Sequence, residues 1–137
     1  MLPKRSECAI SIGLDTIGDK WSLIILRDLM FTSKRTYGEL QSCDEKIATN
    51  ILAARLCNLE ENDIIRKKQD PSDSRRSLYH LTEKGIQLLP VIIELMHWTA
   101  THNPGASDCA SSAKAYKENR VTFYEETMGK LREEHLD

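Results

Sequence analysis

Apolar residues recur at helical spacing along most of the chain and give way to short β-prone runs at one place only. From Cys8 to Thr16, Ile10 and Leu14 continue to Ile17 on one face before Gly18 interrupts. Asp19 is suited to cap a second helix from Lys20 to about Met30. Trp21, Leu23, Ile24, Ile25 and Leu26 leave that helix little polar face, so it reads as a buried core wall with Arg27 and Asp28 at the outer edge. In "TYGEL", Thr36 followed by Glu39 forms a capping-box pattern, which predicts a short helix over 37–41 with Tyr37 and Leu40 inward. The segment 42–47 turns the chain. From Ala48 to Glu61, Ile51, Leu52, Leu56 and Leu59 fall at helical spacing, and Thr49, Asn50, Ala53, Ala54 and Asn58 form a small, polar opposite side. Such small side chains leave room for close approach to another surface.

"DIIRKKQ" and "RRSLYHLT" are β-prone runs around the turn-rich "DPSDS" and predict a hairpin. Thr82 and Glu83 then open a long helical pattern in which Pro90 predicts a kink or a late start. "NPGASDCASSA" reads as a loop. A last amphipathic helix follows, with Tyr116, Val121, Tyr124, Met128 and Leu131 on one stripe. Short helix, tight turn, second helix and basic hairpin are, in that order, the parts of a winged helix-turn-helix. The expected fold is therefore mostly α with a small β-hairpin, in a single domain over 1–137. Residues of about 34–82 form the helix-turn-helix and wing, and 8–17 and 83–134 supply core and dimerisation helices. The outer helices carry more apolar stripe than one small domain needs, and their simplest use is a homodimer interface.

Composition narrows the class. A chain of 137 residues, 40% hydrophobic and 29% charged, is most simply one globular domain. No apolar run approaches the roughly 20 residues of a membrane span, and no signal-peptide pattern opens the chain, so a cytoplasmic protein without membrane contact is expected. Net charge is -2, but unevenly spread: thirteen Lys and Arg stand against twelve Asp and Glu up to Thr82, and six against nine from Glu83 onward. "RKKQDPSDSRR" over 66–76 packs five positive charges against two negative, a local basic patch suited to touching phosphates at one place. A solvated hairpin of mixed charge fits the same residues. Four cysteines without a Cys-x-x-Cys pair, and no paired His, give neither a disulfide framework nor a zinc site, and no cofactor is implied. With no Gly-rich phosphate loop and no nucleophile elbow, the chain does not read as an enzyme. His97 beside Trp98 reads as a helix-end or interface histidine.

Taken together, "IGDKWSLIILRDLM", "YGEL", "ILAARLCNLEENDIIRK" and "YHLTEKGIQLLPVIIELMHW" resemble the HxlR-type winged helix-turn-helix regulators over about residues 8–98. The shared pieces are a Cys ahead of Gly-x-Lys-Trp, an aromatic-x-Glu-Leu, a Leu-x-x-Arg-Leu-x-x-Leu, and Leu-Thr-x-x-Gly before a helix ending in Trp. Ala48 stands where the family usually has Ser, removing a capping hydroxyl that Thr49 can replace. Asp63 stands where it usually has Gly, and Asn62 or Asp63 can accept the left-handed conformation required there. The tip, with Asp73 and Arg75, looks more like the wing of the related MarR regulators.

The resemblance implies a sequence-specific DNA-binding transcriptional regulator, acting as a homodimer on double-stranded DNA with a two-fold operator. The helix over about 48–60 would lie in the major groove and the wing would reach the minor groove or the phosphates. Thr49 and Asn50 fall near base edges or phosphates; Lys34 and Arg35 suit the phosphate backbone. Arg55 fits either a DNA contact or a structural ion pair. On the wing Arg75 and Arg76 are the main contacts, and Lys67 and Lys68 the secondary ones. Cys8 holds the place of the cysteine through which several such regulators sense oxidants or electrophiles, with Lys4, Arg5 or a helix N-terminus to favour its thiolate. Cys43, in the turn before the reading helix, is the candidate second thiol; Cys57 reads as a small buried hydrophobe and Cys109 as incidental. All four being plain reduced cysteines is the other reading. The rival function is a winged-helix protein-interaction module that does not bind DNA.

Overall fold

The computed structural model describes residues 3–107 and 113–136; Cys109 lies outside them. α1 (Ala9–Ile17) runs into Gly18 and is followed by α2 (Lys20–Phe31). Asp19 caps α2 as expected: one carboxylate oxygen accepts the N–H groups of Trp21 and Ser22 at 3.0 and 2.8 Å, and the other accepts the Ser22 hydroxyl at 2.6 Å. Ile25, Leu26, Leu29 and Met30 bury the inner face of α2. Asp28, expected at the outer edge, is buried instead. Arg27 at 2.9 Å and Lys34 at 3.5 Å pair with its carboxylate, which makes the burial tolerable.

α3 (Tyr37–Gln41) carries the full capping box, with Thr36 and Glu39 satisfying each other's backbone N–H groups. α4 (Thr49–Glu61) drives Leu52, Leu56 and Leu59 into the core. The turn after it places Asp63 at φ 56°, the left-handed position anticipated for Asn62 or Asp63. β1 (Ile65–Asp70) and β2 (Asp73–Leu81) pair antiparallel, Ile65 opposite Leu81 and Gln69 opposite Ser77, with an irregularity at Gln69/Asp70 next to the tip. The Tyr79 N–H donates to the Arg35 carbonyl at 2.7 Å, which fastens the hairpin to the loop ahead of α3.

The helical pattern after Thr82 is two helices. α5 (Glu83–Ile86) stops, and α6 (Leu89–His102) starts with Pro90 in its first turn, where a missing N–H costs nothing. A Cβ at Gly85 would collide with the Ile64 carbonyl, so glycine is what lets α5 sit against the entry to β1. The last pattern is likewise divided, into α7 (Ala113–Glu118) and α8 (Arg120–His135), because the Asn119 side chain accepts the Thr122 N–H at 3.1 Å and caps a fresh helix. That break shifts the phase. Tyr116 and Leu131 are buried and Tyr124 and Met128 half-buried, but Val121 is 66% exposed and Phe123 takes the inward place.

One core joins α2, α3, α4, the root of the hairpin, α5, α6, α7 and α8. Outside it, Ile10 and Leu14 of α1, Val91, Leu95 and Trp98 of α6, and Val121 of α8 remain exposed, and α1 buries no residue at all. Among the described residues no helix is long and apolar enough to cross a membrane.

Candidate nucleic-acid interface

The outward face of α4 is what the sequence predicts at its N-terminal end. Thr49, Asn50, Ala53 and Ala54 are all exposed. Ala48 is the N-cap and offers no side chain, and no side-chain cap replaces it, so the first N–H groups of α4 open outward without a hydroxyl over them. Thr49 does not substitute as the cap; its carbonyl instead accepts the Tyr37 hydroxyl at 2.7 Å, locking α3 against the start of α4. Asn58, assigned to the open side, is half-buried, and its amide donates to the Thr16 carbonyl at 3.2 Å. Arg55 is half-buried, with its Nε 3.2 Å from the Asp19 carboxylate. Burial pulls that carboxyl up, but the Ser22 hydroxyl, the Ser22 and Trp21 N–H groups and the Arg55 charge outweigh it and hold Asp19 below the ordinary range. Of the two roles left open for Arg55, the structure displays the ion pair.

The basic residues divide sharply. Arg35, expected on the phosphates, is folded inward with a side chain 16% exposed. Its Nη1 donates to the carbonyls of Leu29, Thr32 and Lys34 at 3.3, 3.1 and 2.6 Å, and Nη2 lies 3.5 Å from Glu134. The last carbonyls of α2 need a donor, and Arg35 supplies it. Lys34 pairs with Asp28. On the wing Arg75 is 89% exposed, and its guanidinium pairs with Asp73 beside it, at 3.2 Å. Arg76, 54% exposed, grips Asp70 with Nε and Nη2 at 2.9 and 2.7 Å. Asp70 also accepts the Ser72 N–H and hydroxyl at 2.9 and 2.8 Å; these bonds first, and Arg76 with them, hold its carboxyl down at about 2. The tip is thus rigid by its own hydrogen bonds and points Arg75 outward. Lys67 is exposed and Lys68 half-buried along β1.

One cation escaped the sequence reading. Lys46 is exposed at φ 60° in the turn two residues before Ala48, beside the start of α4. Its only sequence signal is a lysine in a turn.

The cysteines separate too. Cys8 is exposed at the N-cap of α1, and the Ser11 and Ile10 N–H groups lower its thiol below the ordinary value. Lys4 and Arg5 are engaged with Glu7 and Asp15, so the helix N-terminus rather than those side chains favours the thiolate. Cys43 is 5% exposed, inside the core. Cys57, expected to be buried, is exposed on α4; its thiol donates to Glu61 at 3.5 Å, a bond that pushes it up.

The HxlR-like helix-turn-helix family model matches residues 16–106, and the chain belongs to that family. The HTH-type transcriptional regulator YodB of Bacillus subtilis is 34% identical over 110 residues, 80% of this chain and 93% of the relative. The solved structure of the reduced form of YodB aligns with a TM-score of 0.59 at 30% identity, covering 74% of this chain and all of that one. The redox regulator HypR in its oxidised form aligns with a TM-score of 0.62 at 25% identity, covering 74% of this chain and 99% of that one. The members are transcriptional regulators rather than enzymes, and the chain has the winged-helix fold.

Proposed function

We propose that this chain is a sequence-specific DNA-binding regulator that acts in the cytoplasm as a homodimer on a two-fold operator, with a thiol input at Cys8. The observation that carries the reading is the pairing of two open surfaces. The N-terminal face of α4 presents Thr49, Asn50, Ala53 and Ala54, small enough for a major groove, and the wing presents Arg75 free of any long-range partner. Lys46, Lys67 and Arg76 add charge for the phosphates, whereas Lys34, Arg35 and Arg55 serve the fold. Exposed apolar residues on α1, α6 and α8 support the homodimer, with Val91, Leu95 and Trp98 at helical spacing along one face of α6. Cys8 supports the oxidant or electrophile input by being exposed with a lowered thiol, and the likeness to a redox regulator supports it further. Cys43, being buried, enters such chemistry only after the core opens around it.

The test is a titration of DNA fragments flanking the protein's own gene across a salt series, with reductant and again after mild oxidation. Binding through six to ten phosphate contacts falls by about 10³–10⁵ between 50 and 200 mM salt. Specific, salt-steep binding that changes on oxidation in wild type but not in Cys8→Ser bears the proposal out. Salt-steep binding indifferent to oxidation removes the thiol input, and binding to no fragment favours a protein partner.

A further inference from the structure

α7 and α8 lie beyond the stretch that the family model matches, yet the last turn of α8 is built into the base of the wing. Leu131 and His135 are buried. The His135 Nδ1 accepts the Leu81 N–H at 3.1 Å, so the ring proton sits on Nε2, which donates to the Leu29 carbonyl at 2.9 Å. Arg66 reaches back from β1, its Nη2 donating to the His135 carbonyl at 3.0 Å. The His80 ring meets the His135 ring edge-on at 5.5 Å. Glu134 faces Arg35, and Arg132 clasps Glu83 at 2.8 and 3.0 Å. One helical turn therefore joins the end of α2, both strands of the hairpin and α5.

The rungs it holds are Ile65–Leu81 and Arg66–His80, the two farthest from the tip. A two-stranded ribbon is marginal by itself, and its ladder bonds hold strand to strand, not ribbon to body. At about 3.4 Å per residue the ribbon is a lever of roughly 17–20 Å, so about 10° of play at the root moves the tip by about 3 Å. That is a full hydrogen-bond length at Arg75.

We propose that His135 is a positioning residue for operator binding: through Leu81 and Arg66 it fixes the root of the hairpin and hence the place of Arg75 at its tip. The inference rests on the DNA-binding reading given above. α8 is then a strut for the wing as well as a part of the core.

The test is a double-mutant cycle in the full-length protein, probed with a DNA duplex that wild type has selected from a random pool. Arg75→Gln should weaken wild-type binding about tenfold and reduce the salt slope by about 1. His135→Phe keeps the ring volume but cannot accept the Leu81 N–H; it should weaken binding comparably, and adding Arg75→Gln should then cost less than twofold. His135→Gln, which retains an acceptor and a donor, should restore most of the loss. Should His135→Phe not fold, Arg66→Met removes the attachment to the His135 carbonyl and must show the same loss of the Arg75 effect. If Arg75→Gln keeps its full cost in these variants, His135 does not act through the wing and the inference is overturned. If Arg75→Gln costs nothing in wild type, the wing does not touch DNA, and it is the underlying reading that falls.

Discussion

Both carboxylate oxygens of Glu45 are held by Arg27, Oε2 by Nη1 at 2.6 Å and Oε1 by Nη2 at 2.9 Å. This bidentate pair ties the middle of α2 to the turn three residues ahead of Ala48, so the start of α4 hangs on the core wall. Its first effect is to hold the Glu45 carboxyl down at about 2. Glu45→Gln should cost about 1 kcal/mol, the pair being partly solvated, and should weaken DNA binding a few-fold. Urea unfolding and an anisotropy titration check the two halves. Loss of stability with unchanged binding would detach the pair from the placement of α4.

Acid should loosen the molecule before its carboxylates titrate. Burial, and then the Arg35 charge, push the His135 imidazole down to about 4, with His80 and Arg66 adding to the effect. The nearby Glu134 carboxylate, turned to Arg35, does not reverse it. Its folded value thus lies below its unfolded one, so the unfolded chain binds more protons between them and stability falls with falling pH. The contribution is intact above about 6.5 and lost by about 4, at most roughly 3 kcal/mol. Urea midpoints at pH 7 and pH 5 measure it. His135→Gln should flatten that window, and an equal slope in the variant would assign it to other groups.

Leu95 and Trp98 of α6 are 49% and 63% exposed, next to Val91 on the same helix. The proposed homodimer makes them half of a self-complementary interface, which should not tolerate charge. Sedimentation of Leu95→Glu/Trp98→Glu should give a monomer with unaltered helix content, where wild type gives a dimer. A dimeric variant would move the interface off α6.

What the sequence made legible was what is local. Thr36 with Glu39, Asp19 before Trp21, and the turn around Pro71 each depend on neighbours within a few residues, and each forms as expected. The fate of the cations was not legible, because it turns on where carbonyls and carboxylates converge in the fold rather than on residue type. Arg35 looks like a phosphate ligand until the carbonyls of α2 and Glu134 claim it, and Asp28 looks like a surface residue until Arg27 and Lys34 close over it. Periodicity failed where a cap intervened: Asn119 restarts the helix and exchanges Val121 for Phe123 at the core. The exposure of Cys57 has a different origin: α4 needs only Leu52, Leu56 and Leu59 inward and leaves position 57 on the flank.

The central claim, that the N-terminal face of α4 reads bases, is tested most directly by comparing specific with non-specific affinity. Wild type and Thr49→Ala/Asn50→Ala would be titrated at one salt concentration against the selected duplex and against a scrambled one. Losing base contacts of this kind costs about 1–3 kcal/mol each on the selected site and little on the scrambled one. The account predicts that the ratio of the two affinities collapses while non-specific binding persists. An unchanged ratio would place sequence recognition on another surface.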